Sequence, residues 1–193
     1  MEDHSPWGPI QSSTSYGDGV RMVETAGHGG FLVDRAVNAG IPAHLRIASG
    51  AYEEDCDWAL VVLALPERFP DDLTKIAIET VRNWRPHAYE KHFGVELQPG
   101  ESLMRDRKLF KEAHAEDWVA IAAIGLDTRH EDGSNNVEVT AAIGGDRSRS
   151  DHATFIVPNS EYRTRGRHGF VIDPERHPRI DTVEPEAMAP AGP

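Results

Sequence analysis

Two short stretches hold the side chains best suited to chemistry. The first, Thr25-Ala26-Gly27-His28-Gly29-Gly30-Phe31, sets one imidazole among three glycines. Glycine has no Cβ, so its backbone can approach a ligand closely and leave a neighbouring side chain open. Histidine is the residue best poised for proton transfer near neutral pH. The same letters also describe a tight hairpin turn whose glycines supply positive φ and in which His28 is a bystander. A phosphate-binding loop is excluded, because the Lys-Ser/Thr element is missing. The second stretch, Tyr52-Glu53-Glu54-Asp55-Cys56-Asp57-Trp58, places four carboxylates within five residues. On a helix Glu53 and Asp57 would share a face, a like-charge pair costing a few tenths of a kcal/mol. Such a cluster can bind a cation, raise one carboxyl pKa or meet a basic partner. Equally, it can be a solvated helix start favoured by the macrodipole.

These residues define two functional expectations. In one, an acidic face including Glu53, Glu54, Asp55 and Asp57 meets a basic protein surface. In the other, His28 is a general acid or base, Glu53, Glu54, Asp55 and Asp57 orient it or hold a cation, and Arg163 or Arg165, part of a short cluster with Arg167, binds an anionic substrate through its carboxylate or phosphate. The arginine cluster also reads as a plain solvated loop. Cys56 sits among acids that disfavour its thiolate, so a buried structural thiol is the default, and a His28–Cys56 nucleophile pair depends wholly on the fold. A metal site of His28 with the 53–57 carboxylates suits a hard or borderline ion. No HExxH or EF-hand pattern supports it, so no metal or cofactor is expected. His87, His92, His114 and His130 show no shared ligand spacing.

Net charge narrows the partners. The 193 residues carry 32 acidic and 20 basic side chains, a formal charge of −12. Such a surface repels nucleic acid and anionic lipid and suits basic proteins or small molecules. It could also occupy a DNA-binding groove by presenting carboxylates in place of phosphates. The one cysteine allows no internal disulfide and points to a reducing compartment. No apolar run approaches the ~20 residues of a membrane span. The polar start, Met1-Glu2-Asp3-His4, excludes an ordinary secretory signal, so the expected location is the cytoplasm.

The elements that must position these residues follow from periodicity. Residues 1–18 read as a loop or extended arm, with Trp7 docked on the core. Alternation over 19–26, the Gly27–Gly30 turn and Phe31-Leu32-Val33 predict a β-hairpin. Residues 35–50 look irregular. An acidic start and the apolar run Trp58 to Leu65 predict a buried helix over 52–65, with a strand at 59–65 as the alternative. Residues 71–84 show the clearest helical stripe: Leu73, Ile76, Ala77, Thr80, Val81 and Trp84. A short helix ending at Gly94 and another from Ser102 to His114 follow. Beyond Trp118 the pattern becomes a β-meander: 119–124, a turn at Asp132 to Asn135, then 136–143, 155–157 and a possible strand at 169–172. Helices and strands are segregated, which predicts an α+β fold with one sheet packed on helices. A single domain is expected over 19–173, followed by a coreless tail over 174–193.

Several segments occur together in this order. They include Trp7-Gly8-Pro9-Ile10-Gln11, the His28 and Glu53–Asp57 stretches, Val81 to Glu90, His114 to Val119 and Tyr162 to Arg167. With Thr164-Arg165-Gly166-Arg167-His168-Gly169-Phe170, they resemble a family of proteobacterial proteins often encoded on plasmids, prophages and other mobile elements. The resemblance spans roughly residues 7–173. It supplies no catalytic residues, and it implies a mobile-element setting. There a small acidic protein is expected to bind a basic host protein, such as a nuclease or defence complex, as a counter-defence inhibitor of anti-CRISPR or anti-restriction type.

Overall fold

The computed structural model describes residues 4–125 and 135–180. His130 and most of the turn expected at Asp132 to Asn135 lie outside them. The chain divides into two compact units, residues 1–106 and 107–193. Among the described residues, six helices accompany three antiparallel sheets, so the α+β class holds. The expectation of one sheet is corrected. The apolar residues form two separate clusters, one in each unit, and each cluster has its own four-stranded sheet.

The first unit opens with a two-residue ribbon, β1 (His4–Ser5) and β2 (Gly8–Pro9). Its main sheet has the order β3 (Ser12–Ser15), β4 (Val20–Glu24), β5 (Gly29–Val33) and β6 (Ala51–Glu53). Period-two alternation puts Val20, Met22, Phe31, Val33 and Tyr52 on one face, and they join the core. Tyr16, Phe31 and Phe69 pack ring on ring there, with centroids 5.1 to 5.5 Å apart.

Between β5 and β6 the sequence looks irregular, yet it holds α1 (Arg35–Gly40). A buried polar network explains the helix. Tyr52 Oη donates to Asn38 Oδ1 at 2.7 Å and accepts from the Ile47 N–H at 3.1 Å, while Asn38 Nδ2 donates to the Ile47 carbonyl at 2.9 Å. Burial raises the Tyr52 phenol pKa, which keeps the hydroxyl a donor.

The helix expected over 52–65 is shorter: α2 (Trp58–Ala64). Its acidic prelude is instead the end of β6 and a turn, because Tyr52 is buried in the sheet. Ala59 to Leu63 are all buried, as a continuous apolar run requires. After one 3₁₀ turn (Pro66–Arg68), α3 (Asp71–Trp84) packs on α2 through Ala77 and Val81. Ile76 and Trp84 were expected on the same stripe but are 55% and 48% exposed, so the buried seam is narrower than the stripe. Then comes α4 (Pro86–Phe93), which stops at Gly94 in the left-handed conformation. The next helix, α5 (Leu103–Ala113), crosses the boundary between units along the chain.

The second unit holds β7 (Trp118–Gly125), β8 (Asn136–Ile143), β9 (Ala153–Pro158), α6 (Asn159–Tyr162) and β10 (Arg179–Ile180), with sheet order β10-β9-β8-β7. Val137, Val139, Ala141, Phe155, Val157, Phe170 and Ile172 form its core. A bulge falls at Ile121, where the β7–β8 register shifts. The segment expected as a strand at 169–172 lies along the start of β7 by a single bridge, Val119 with Val171. Residues 174–180, which the composition suggests are coreless, contribute a buried His177 and the strand β10. The His177 Nδ1 accepts from the Asp173 N–H at 3.1 Å, which puts the ring proton on Nε2, 3.2 Å from Glu161 Oε1. The Asp173 bond and the packing of the ring 5.6 Å from that of Phe170 tie the segment down, while among the described residues no hydrogen bond reaches the buried Nε2. No described helix is long and apolar enough to cross a membrane.

Candidate functional site

The β4–β5 turn is tied by Thr25. Its backbone N–H and its hydroxyl both donate to the His28 carbonyl, at 2.8 and 2.6 Å, and the His28 N–H donates back to Thr25 Oγ1 at 3.2 Å. The glycines around His28 serve sheet packing. A Cβ on Gly29 would lie 2.7 Å from the Val23 carbonyl oxygen and 2.8 Å from Glu54 Oε2. At Gly30 (φ +153°) a Cβ would meet the Tyr52 carbonyl oxygen at 2.1 Å and Trp7 Cη2 at 2.7 Å. The close backbone approach read from these glycines is therefore an approach to β6, with Trp7 docked over Gly30.

That packing brings the two stretches together. The Glu54 N–H donates to the Gly29 carbonyl at 3.0 Å, extending the β5–β6 ladder past its last paired residue. His28 Nδ1 consequently stands 3.9 Å from Glu53 Oε1. One donor atom from each of His28, Glu53 and Glu54 lies within 4.8 Å of the others. The corner is open to water, since the His28 side chain is 65% exposed and that of Glu53 29%. Glu53 Oε2 also accepts from the Asp55 N–H at 2.8 Å, which fixes this carboxylate. An imidazole and two carboxylates in this array suit a cationic occupant: a hard or borderline metal ion, or the head of a lysine or arginine.

The remaining expected residues divide. Asp57 is paired with Arg85, a partner that nothing in the spacing indicates. Cys56 Sγ lies 3.8 Å from Asp57 Oδ1, and burial raises its pKa, with Arg85 opposing. A protonated thiol engaged with Asp57 and Arg85 is not the nucleophile of a His28 pair. Arg165 stacks on the Tyr162 ring at 4.7 Å and donates to the Tyr162 carbonyl at 3.3 Å. Arg163 and Arg167 are exposed. Of the other histidines, His114 pairs with Asp117 at 2.7 Å and His87 with Glu90 at 3.5 Å. His92 Nδ1 meets His44 Nε2 at 3.3 Å, a pair whose separation of 48 positions hides it from any spacing rule. Burial, and then the His44 charge, hold the His92 pKa below its ordinary value.

The first unit is thus an antiparallel α+β module carrying an open acidic corner. The chain matches the family described as Domain of unknown function (DUF7007) over residues 1–115, and it belongs to that family. The match contains Trp7, the glycine-flanked His28 and the 53–57 carboxylates, whereas Tyr162 to Phe170 lie beyond it. No curated protein and no solved structure matches the chain.

Proposed function

We propose that this is a binding protein whose acidic corner receives a cationic side chain from a basic protein partner. One observation carries the reading. Among the described residues, His28 is the only basic side chain at ion-pair distance from Glu53, and Glu54 has none, whereas Asp57 is already answered by Arg85. The two carboxylates converge with no resident lysine or arginine to meet them. Being solvated, they pay little desolvation and act mainly by steering encounter and fixing register. The net charge of −12 adds a field of the same sign. The mobile-element setting implied by the resemblance favours a host nuclease or a restriction or CRISPR effector as the partner, which would make this a counter-defence protein. Affinity capture from the native host at low and high salt tests the proposal. Capture should fall steeply with salt and vanish in the Glu53→Lys/Glu54→Lys variant. Salt-independent capture, or capture that survives charge reversal, rejects it.

The 3.9 Å approach of His28 to Glu53 favours a second reading. Here the imidazole transfers a proton while Glu53 orients it and Glu54 and Asp55 hold a cation. His28→Gln separates the two readings. Docking retains capture in that variant, and proton transfer loses its activity.

A further inference from the structure

The second unit contains a feature of opposite character that this corner does not involve. A groove of about 420 Å³ is lined by Arg107, Phe110 and Lys111 of α5, by Val119 to Ile121 of β7, by Gly144 to Arg147 and by His168. Three guanidinium or ammonium groups face one carboxylate, Asp146, in a chain that is otherwise strongly acidic. Among the described residues, Arg107 and Lys111 have no carboxylate at ion-pair distance. Asp146 is already occupied. It accepts the Ser148 N–H at 2.9 Å and the Ser148 hydroxyl at 2.7 Å, and these bonds hold its pKa low.

The backbone is shaped around the groove. The β7 bulge exposes the Ile121 carbonyl, and Arg147 Nη2 donates to it at 2.5 Å, which fixes one guanidinium at the rim. Gly144 and Gly145 both adopt positive φ, +64° and +67°, and a Cβ on Gly145 would press on Val119 Cγ1 at 3.3 Å. A Cβ on Gly169 would strike Val119 Cγ1 at 3.2 Å and the Phe110 ring at 3.3 Å. Phe110 and Val119 thus form an apolar wall beneath the cations, and the His168 ring lies 6.1 Å from that of Phe110.

We propose that this groove binds a small phosphorylated organic molecule, with the phosphate held by Arg107, Lys111 and Arg147 and an aromatic or other apolar body laid against Phe110. Arginine forks match phosphate oxygens, and lysine adds a point charge. Pockets of a few hundred Å³ that join apolar walls to a few convergent polar groups are the usual size and make-up of small-molecule sites. A nucleic-acid backbone carries the same chemistry, but a chain of charge −12 repels a polyanion far more than one dianion.

Titration of the full chain with phenyl phosphate and with inorganic phosphate, followed by calorimetry and by the His168 ring resonances, tests this. Phenyl phosphate should bind at least about tenfold more tightly than inorganic phosphate, because only it can use the apolar wall. Arg107→Gln/Lys111→Gln, at two exposed positions, should weaken it by about tenfold or more without lowering Tm. Asp146→Asn should tighten it. Three outcomes overturn the proposal: no binding of phenyl phosphate by the folded protein, equal binding by the Arg107/Lys111 variant, or a single-stranded oligonucleotide that shifts His168 when phenyl phosphate does not.

Discussion

The acidic corner of the first unit and the basic groove of the second are built in opposite ways. Glu53, Glu54 and Asp55 are neighbours in the chain, and His28 reaches them through a single strand pairing, β5 with β6. A contiguous run of like charge has to stay in water, because burying it without counterions is prohibitive, so the corner is exposed. Arg107, Lys111, Arg147 and His168 are drawn from positions up to 61 residues apart and meet around an apolar wall in a concavity. Charges gathered by tertiary packing can be spaced and partly enclosed in a way that a run of neighbours cannot. The corner is therefore suited to steering a large partner, and the groove to holding a small one.

The largest expected effect tests the claim that the corner's glycines pack the sheet. Gly30→Val places a side chain where the Tyr52 carbonyl and Trp7 already stand, and it should cost about 3 kcal/mol or more in denaturant unfolding. A tolerated substitution would make this turn a ligand-facing loop, and the contrast with the groove would collapse. Next is Tyr52→Phe, which strands Asn38 and the Ile47 N–H and should cost about 1–3 kcal/mol by the same measurement. Its cost measures how rigidly β6 presents Glu53.

Smaller still is the stability change on Glu53→Lys/Glu54→Lys. Because both side chains project from the open end of β6, unfolding should move by no more than about 0.5 kcal/mol while partner capture is lost. A large loss of stability would mean that the corner is structural. The smallest effect is pH-dependent. The folded His92 pKa lies below its ordinary 6.5, so between the two values the unfolded chain binds more protons than the native one. Stability contributed by neutral His92 is present above pH 6.5 and declines as pH falls through the window below it. In Tm measured from pH 7 to pH 5, His92→Gln should flatten a shallow decline. An unchanged profile would remove the His44–His92 pair from the account of the first unit.

Local pattern sets much of the fold. Helical spacing over 71–84 places α3, the conformational freedom of Gly94 ends α4, and alternation from Val137 to Ala141 builds β8. The same patterns fall short where a distant partner intervenes. Tyr52 reads as part of a helix because acids and an apolar run follow it, yet its ring and hydroxyl are claimed by the core and by Asn38, and that makes β6 a strand. Ile76 and Trp84 keep their helical period but stay about half exposed, because the fully buried seam of α3 is confined to Ala77 and Val81.

The candidate residues divide along the same line. His28 and the 53–57 carboxylates are legible because their chemistry is local: glycines flank one imidazole, and acids follow one another. Composition likewise settles the sign of the charge and the absence of internal disulfides. Only the tertiary structure decides that the glycines make room for Trp7 and β6, that Arg85 neutralises Asp57, and that four scattered basic side chains share one groove. Hydrogen-bonded strand pairing and side-chain packing act between residues far apart in the chain, and a one-dimensional pattern holds no record of which residues those are.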